Sequence, residues 1–335
     1  MKLPKPNGPF PVGFTDIHVG NGNVNFIARL YYPCRDSGTT DVGYGPWFPE
    51  PKYYKAYGYF MRLPEWISYA LFWGLGRNIR IHAVENAPPL ITKYNEQRKK
   101  CILFSHGLGG IRTTYSTLCT GFASKGHLVA AIEHNDRSAS MTKVNGNIVK
   151  YDHSMSTYEA RNQQLTRRRE EIILLKDVIL NKKHDHVVSH SGVFKQLASP
   201  NTRFIAMGHS FGAATVFSLG DHVDAGVCLD PWTFPLGNAI EPFPKPALTV
   251  IMENFTWPEN TETIMRLMSR NGRENTITLP NADHMDVSDV PVVMPTMLKL
   301  VTASNRRAAK VHPSETIKAV SEMIESFIES VEAAD

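Results

Sequence analysis

Long apolar runs are missing from this 335-residue sequence. No stretch of about 18 consecutive apolar residues occurs, so we expect no transmembrane helix. The first residues, MKLPKPNGPFPVG, lack the apolar centre of a signal peptide, and Lys2 does not fit N-myristoylation. From these absences we expect a cytoplasmic protein.

The sequence also has few cysteines and a small net charge. The four cysteines have spacings that match no zinc or redox motif. Lys and Arg number 36 against 32 Asp and Glu, which leaves a formal net charge of +4. A protein that coats nucleic acid carries a larger positive excess. We therefore expect no metal site and no nucleic-acid partner.

Short apolar segments alternate with helix-like segments along the chain, a pattern that predicts a mostly parallel sheet with helices on both faces. The first two segments, 15–19 and 26–32, flank a Gly/Asn turn at 20–23 and predict a hairpin. Residues 36–60 and 135–157 are predicted to be long loops. Further strands are predicted at 101–104, 128–132, 204–207, 225–229, 247–252 and 275–279. Helices are predicted at 113–125, 158–181, 211–219 and 260–270, and after a Ser314 N-cap.

A serine between two glycines, in the sequence Gly-His-Ser-Phe-Gly, occupies residues 208–212. It follows the apolar run 204–207 and precedes a segment of helix formers. A strand-turn-helix corner of this kind is typical of a nucleophile elbow, which exposes the Ser210 hydroxyl at the carboxyl end of the sheet. The alternative is a helix-capping serine in a glycine-rich turn.

A nucleophilic serine needs a base and an orienting carboxylate, which follow it in the order acid, then histidine, in this type of fold. Asp230 ends an apolar strand and is the candidate acid, although it also fits a turn cap before Pro231. His284 follows the last predicted strand and is the candidate base, with a surface loop as the alternative. His222 and His312 lie in less suitable contexts.

The segment Phe-Ser-His-Gly-Leu-Gly-Gly at 104–110 follows an earlier strand. Its glycines allow backbone amides to face the crevice, so the amides of Leu108 and Phe211 are the candidate oxyanion hole. His106 is predicted to have a structural role. A phosphate-binding loop is the competing interpretation, but neither G-x-x-x-x-G-K nor G-x-G-x-x-G occurs here.

A series of linked segments lies at 11–16, 29–34, 104–109, 112–113, 115–116, 133–134, 136–140, 208–216, 229–230, 232 and 234–237. Together these segments resemble the platelet-activating factor acetylhydrolases of the plasma and type II group. The resemblance runs from about residue 9 to about residue 300. Ala213 replaces a usual glycine, Pro231 alters the segment after the candidate acid, and the surroundings of His284 also differ, although Asp289 keeps its expected offset.

The resemblance implies a single α/β-hydrolase domain over residues 1–335. It implies a calcium-independent serine esterase without a cofactor, which cleaves acetyl or short, oxidised acyl groups from the sn-2 position of phospholipids. Carried onto this chain, the nucleophile is Ser210, the acid Asp230 and the base His284, and the oxyanion amides belong to Leu108 and Phe211. A general short-chain carboxylesterase and an inactive lipid-binding protein are the alternatives.

An enzyme of phospholipids has to meet a membrane or lipoprotein surface. The region 57–81 is predicted to hold a lid or an interfacial segment, since the apolar, aromatic stretch 66–75 is flanked by arginines. A core helix is an equal alternative. The run Arg167-Arg168-Arg169 is predicted to form a solvated, salt-bridged helix face, with a lipid-headgroup patch as the alternative. The candidate interfacial residues are Trp66, Ile67, Leu71, Phe72 and Trp73.

Overall fold

A large, mostly parallel sheet forms the centre of the protein in a computed structural model. The structure describes residues 3–20, 22, 24–35, 43–90, 100–180, 184–189, 192–197, 202–237, 241–293 and 312–333. Its strands are β1 (Val12–Gly20), β2 (Asn25–Pro33), β3 (Tyr44–Pro46), β4 (Arg80–Glu85), β5 (Lys100–Ser105), β6 (Leu128–Glu133), β9 (Val187–Ser189), β10 (Arg203–His209), β11 (Ala225–Leu229), β12 (Ala247–Met252) and β13 (Thr276–Leu279). A separate hairpin contains β7 (Met141–Val144) and β8 (Asn147–Lys150).

The strand order is β13-β12-β11-β10-β5-β6-β2-β1-β4-β3, with β9 paired to β1. From β13 to β6 every neighbouring pair is parallel, whereas β2 is antiparallel to both β6 and β1. The predicted hairpin is therefore confirmed as β1 and β2, although Asn21 and Asn23 of its turn lie outside the described residues. Parallel strands bring their carboxyl ends to one edge, where the chain places the candidate site.

Apolar side chains on alternate residues of the central strands build two buried clusters. In β5, Cys101 and Leu103 join one cluster, while Ile102 and Phe104 join the other. Because successive side chains of a strand point to opposite faces, a strand with no polar face needs cover on both sides. That cover comes from helices.

The helices are α1 (Lys52–Phe60), α2 (Glu65–Gly76), α3 (Ser116–Ser124), α4 (Tyr158–Ile179), α5 (Phe194–Leu197), α6 (Phe211–Leu219), α7 (Pro258–Leu267), α8 (Val290–Val293) and α9 (Pro313–Ala333). Apolar side chains of α3 and α9 belong to the same cluster as Phe104, whereas those of α4 and α6 belong to the cluster on the opposite face. The predicted architecture, a mostly parallel sheet with helices on both faces, is confirmed.

Two predicted loops contain regular structure. Residues 43–60 hold β3 and α1, and residues 135–157 hold the hairpin β7–β8. The predicted Ser314 cap is also wrong, because α9 already begins at Pro313 and the His312 carbonyl accepts hydrogen bonds from the amides of Glu315 and Thr316. Proline suits a first helical position because the amide it lacks has no partner there.

Candidate active site

Ser210 lies at a tight corner between β10 and α6. Its backbone has φ 57° and ψ −117°, a region that residues with a side chain rarely adopt. A Cβ on Gly208 would come within 2.1 Å of the Gly212 carbonyl oxygen, and a Cβ on Gly212 within 2.0 Å of the Ser105 carbonyl oxygen. Both flanking glycines are therefore required by close backbone contacts, and the corner has the geometry of a nucleophile elbow.

His284 and Asp230 are joined across the ends of the sheet. Asp230 directly follows β11, and its Oδ2 lies 2.5 Å from His284 Nδ1. Its Oδ1 accepts a hydrogen bond of 2.8 Å from the Met252 amide at the end of the neighbouring strand. Both carboxylate oxygens are thus held, which fixes the orientation of the imidazole.

Burial changes the protonation of both groups. It raises the pKa of the Asp230 carboxyl, while the hydrogen bond from the Met252 amide lowers it. Burial lowers the pKa of His284 below its usual range, so its imidazole is neutral near neutral pH. With Nδ1 directed at Asp230, the lone pair of Nε2 is available to accept a proton.

Ser210 and His284 line one cavity of about 490 Å³. The Phe255 ring stacks on the His284 ring with centroids 3.6 Å apart. In the described part of the chain the Ser210 hydroxyl makes no hydrogen bond, so the structure brings serine and histidine to one cavity without joining them. The apolar part of the wall comes from Phe60, Met61, Leu108, Trp232, Phe255, Met285 and Val290.

The backbone amide of Leu108 points away from the groups that bind the preceding carbonyl, that of Gly107. The Gly107 carbonyl accepts from the Gly110 amide at 3.1 Å and from His106 Nδ1 at 2.7 Å. Because a trans peptide directs its C=O and N–H to opposite sides, the Leu108 N–H points away from these donors. It has no partner among the described residues, and neither has the amide of Phe211 in the first turn of α6.

A hydrogen-bond chain that the sequence did not reveal links the loops of the site. The Gly107 amide donates to Tyr115 Oη at 3.3 Å, and Tyr115 Oη in turn lies 2.7 Å from His209 Nδ1. His209 Nε2 donates to the His284 carbonyl at 2.8 Å. Burial, then the neighbouring His284, lowers the pKa of His209, so its ring is neutral and accepts at one nitrogen while donating at the other.

The same residues include a group with metal-ligand spacing. His209, Asp230 and His284 each offer one ligand atom, and these atoms lie within 4.8 Å of one another. Both nitrogens of His209 are already engaged, and Asp230 Oδ2 contacts His284 Nδ1. Hydrogen bonds within the protein therefore account for the donor set without an ion.

The predicted interfacial residues fall on two different faces of α2. Trp66 and Trp73 are 76% and 43% exposed, on the face that also carries Tyr69. Phe72 is instead fully buried in the aromatic core, with its ring 5.9 Å from that of Phe48 and 6.0 Å from that of Tyr57, because the helix turns it toward α1. Its assignment to the interface is corrected.

The remaining two predicted interfacial residues, Ile67 and Leu71, are half-buried, and Leu71 packs against the core. No helix among the described residues is long and apolar enough to cross a bilayer.

The two histidines set aside in the sequence analysis lie away from this site. His222 Nε2 contacts Arg169 beyond α6, and His312 Nδ1 contacts the Ser314 hydroxyl before α9. His106 is buried, and its Nε2 accepts from the His134 amide, in agreement with its predicted structural role.

Residues 1–333 match the sequence profile of the family described as platelet-activating factor acetylhydrolase, isoform II. The chain belongs to this family. The platelet-activating factor acetylhydrolase of Gallus gallus is 30% identical over 324 residues, which cover 87% of this chain and 75% of the relative. A putative phospholipase A2 of Schizosaccharomyces pombe is 25% identical over 271 residues, covering 61% and 62%. Membership of the acetylhydrolase family makes the chain a hydrolase that acts on ester bonds.

Solved structures identify the fold of this acetylhydrolase family member. A ferulic acid esterase from Streptomyces cinnamoneus superposes with a TM-score of 0.71 at 20% identity, covering 98% of this chain and 92% of that one. At this identity the likeness shows the fold alone, and the predicted α/β-hydrolase fold is confirmed.

Proposed function

We propose that the chain is a calcium-independent serine esterase that removes the sn-2 acetyl group, or a short oxidised acyl group, from platelet-activating factor and related phospholipids. The observation that carries the proposal is the meeting of Ser210 and the His284–Asp230 pair at one apolar cavity. The family and the names of its curated relatives support the substrate class.

In the first half-reaction, Ser210 Oγ attacks the ester carbonyl carbon while His284 Nε2 accepts the hydroxyl proton. Asp230 holds the imidazole orientation and stabilises its positive charge. The amides of Leu108 and Phe211 have no protein partner and donate to the developing oxyanion. His284 then returns the proton to the departing sn-2 oxygen, which leaves as the lysophospholipid.

In the second half-reaction, water attacks the acyl-enzyme. His284 accepts a proton from this water, and the same two amides stabilise the second oxyanion. The tetrahedral intermediate collapses when the proton moves to Ser210 Oγ, which releases acetate or a short carboxylate. In this mechanism protein groups supply every proton transfer and both donors to the oxyanion, so no step requires calcium.

The cavity wall favours an apolar acyl ester. Trp232 and Phe255 lie beside the nucleophile and the base, and Phe60 and Met61 come from the end of α1. Such a lining displaces water from the ester carbonyl, which strengthens the hydrogen bonds to its oxygen.

The outer face of α2 supports docking on a lipid surface. Trp66, Tyr69 and Trp73 recur at helical spacing, and the Arg77 guanidinium lies 4.1 Å from the Trp73 ring centre. Indole rings and arginines of this kind suit the boundary between headgroups and acyl chains. We therefore include peripheral attachment to a membrane or lipoprotein in the proposal; the cytoplasmic location stays a prediction.

The test compares hydrolysis of an sn-2 acetyl phosphatidylcholine with that of its long-chain counterpart, with calcium chelated. We expect rapid acetate release by the wild type and a fall of at least about 10⁴-fold in Ser210→Ala. Ser218→Ala is the matched control, because this half-buried serine lies on the same helix and donates only to the Thr215 carbonyl.

Activity that persists in Ser210→Ala, or that requires calcium, would overturn the mechanism. Turnover of soluble esters with little phospholipid cleavage would keep the mechanism and make the chain a general carboxylesterase.

A further inference from the structure

Arg168 is buried although it lies in a run of three arginines. Its side chain is fully inaccessible, whereas Arg167 is half-buried and Arg169 is exposed on the surface of α4. The prediction that this run forms a solvated face is therefore wrong for Arg168. A buried guanidinium requires a charge partner and acceptors for its N–H groups, and its surroundings supply both.

The guanidinium of Arg168 has a specific acceptor at each nitrogen. Nε donates to Asp136 Oδ2 at 2.7 Å, which neutralises the charge. Nη2 donates to Ser138 Oγ at 2.5 Å, and Nη1 donates to the His106 carbonyl at 2.7 Å. Two of these partners, Ser138 and His106, also control the loop that carries Leu108.

The loop around Leu108 is fixed on both sides by this group. His106, two residues before Leu108, is held through its carbonyl by Arg168 Nη1. On the other side, the Gly109 amide donates to the Ser138 carbonyl at 2.8 Å, and the hydroxyl of the same Ser138 contacts Arg168. The peptide that presents the free Leu108 amide is therefore held between two attachments that both lead to Arg168.

Arg168 also contacts the residue that carries the second free amide. Its guanidinium carbon lies 4.1 Å from the centre of the Phe211 ring. Phe211 is fully buried, and its ring lies 5.9 Å from that of Trp232. A cation over an aromatic face fixes the ring, and the ring extends from the first residue of α6.

A second serine-histidine-carboxylate arrangement lies next to Arg168. Ser105 Oγ is 2.8 Å from His134 Nε2, and His134 Nδ1 is 2.7 Å from Glu171 Oε2. All three side chains are fully buried, so no substrate reaches them. Since Arg168 Nη1 also donates to Ser105 Oγ at 3.4 Å, this buried cluster helps to hold the guanidinium in place.

We propose that Arg168 is a positioning residue that sets the geometry of the oxyanion hole by holding the Leu108 and Phe211 amides in register with each other. It touches no substrate atom and acts through the His106 carbonyl, Ser138 and the Phe211 ring. The inference rests on the proposed function, because it assumes that these two amides receive the oxyanion.

The test uses Arg168→Met and Arg168→Lys, with Arg169→Met as the matched control on the exposed side of the same helix. Active sites are counted with a fluorophosphonate, and kcat per labelled site and KM are measured with p-nitrophenyl acetate. The inhibition constant of an acyl-chain trifluoromethyl ketone is measured in parallel, because its serine adduct places an oxyanion in the hole.

For Arg168→Met we expect kcat per labelled site to fall by about 10²-fold to 10³-fold, as for loss of an oxyanion donor. KM should stay within about threefold, while the ketone inhibition constant rises by a factor similar to the fall in kcat. Arg168→Lys keeps the positive charge but loses the planar guanidinium with its several N–H donors. We therefore expect an intermediate fall in kcat per labelled site, of about tenfold. Arg169→Met should match the wild type.

A purely structural role predicts something different: fewer labelled sites and a lower melting temperature, with kcat per labelled site unchanged. That result, or an unchanged ketone inhibition constant, would overturn the proposal. If Arg168→Met does not fold, Ser138→Ala removes one guanidinium acceptor while Arg168 stays paired with Asp136, and it should show the same pattern to a smaller degree.

The soluble ester separates this proposal from the substrate assignment. If the wild type cleaves p-nitrophenyl acetate but no sn-2 acetyl phospholipid, the proposed substrate is wrong. The comparison of the Arg168 variants then still tests the positioning role. A wild type that neither cleaves the ester nor reacts with the fluorophosphonate overturns both proposals.

Discussion

At His284, burial and the contact with Asp230 both act on one imidazole. Burial lowers its pKa, and the carboxylate at 2.5 Å fixes which nitrogen faces it. The His209 side chain adds a third constraint by binding the His284 carbonyl, so backbone and ring of the base are both held. In the proposed mechanism, a base held in this way does not have to reorganise when Ser210 attacks.

The protonation of His284 leads to a pH prediction. The base must be neutral to accept a proton, and a lowered pKa keeps it neutral in more acidic solution. We expect kcat/KM for p-nitrophenyl acetate to stay level from about pH 8 to below about pH 6, with the acid limb below the usual histidine value of 6.5. Stopped-flow assays with short exposure to each pH measure this profile.

The control for this profile is the melting temperature at each pH, which separates protonation from unfolding. A limb at or above 6.5 with the protein still folded would contradict the expected effect of burial on His284.

At the scale of the element, α2 combines an anchored face and a free face. Phe72 is packed into the core with Phe48 and Tyr57, while Trp66 and Trp73 are exposed. Because the core side holds the helix in place, changes on the outer side should alter surface binding without unfolding the protein.

We expect the double variant Trp66→Ala, Trp73→Ala to bind phosphatidylcholine vesicles at least about threefold more weakly, since two indoles no longer enter the interface. Hydrolysis of a vesicle-embedded substrate should fall in proportion, while hydrolysis of p-nitrophenyl acetate should not change. Vesicle cosedimentation with both assays measures the effect.

Met265→Ala is the control for the α2 variant, because Met265 is 42% exposed on α7. Equal vesicle binding by the wild type and the double tryptophan variant would show that α2 is not the docking surface.

At the scale of the whole molecule, a charge network joins the hairpin β1–β2 to the central strands and to α1. Arg29 binds Asp16 through two nitrogens, at 2.6 and 2.8 Å, and Arg112 binds both Asp16 and Glu133. Tyr53 of α1 donates to Glu133 at 2.7 Å. Segments far apart in the sequence are thus held by one balanced group of charges.

Asp16 makes the stability of this network depend on pH. Burial alone would raise the pKa of its carboxyl, but the guanidinium groups of Arg112 and Arg29 hold it well below its usual range. A depressed folded-state pKa contributes stability above the unfolded value of about 4, and this contribution is lost as the pH falls toward the folded value.

We therefore expect Asp16→Asn to lower the free energy of unfolding at neutral pH by about 3 kcal/mol, because the buried Arg29 loses its carboxylate partner and Arg112 loses one of its two. The difference from the wild type should shrink as the pH falls below about 4, where the wild-type carboxyl begins to lose its advantage. Denaturant unfolding at several pH values measures both.

Asp152→Asn is the comparison for Asp16→Asn, since Asp152 pairs with the exposed Arg137 and should show a much smaller change. A constant difference between wild type and Asp16→Asn from neutral pH to about pH 3 would refute the role assigned to the Asp16 carboxyl.

Local pattern was sufficient for most of the sheet and for the candidate site. The central strands are short apolar runs with few competing structures, so β5, β6, β10, β11 and β12 were predicted from composition alone. Ser210 was identified because the pattern Gly-x-Ser-x-Gly between an apolar run and a helix is local, whereas the contact of Gly212 with Ser105 appears only in the folded chain. Asp230 and His284 followed from chain order and from their position after strands.

Contacts between distant segments decided the rest. The sequence pattern did not predict the helix α1, because the contacts that hold it are not local. Its tyrosines bind Glu133 and Thr114, which lie more than fifty residues away in the sequence. Arg168 and Arg169 are neighbours of the same type in a polar run, yet only the packing of α4 against the loop at 105–110 buries the first and exposes the second. The sequence by itself determined the central strands and the candidate reactive side chains, because both depend on local composition and order, whereas it missed β3 and the hairpin β7–β8. Which charge is buried, and which backbone amide is left free, depends on groups brought together only by folding.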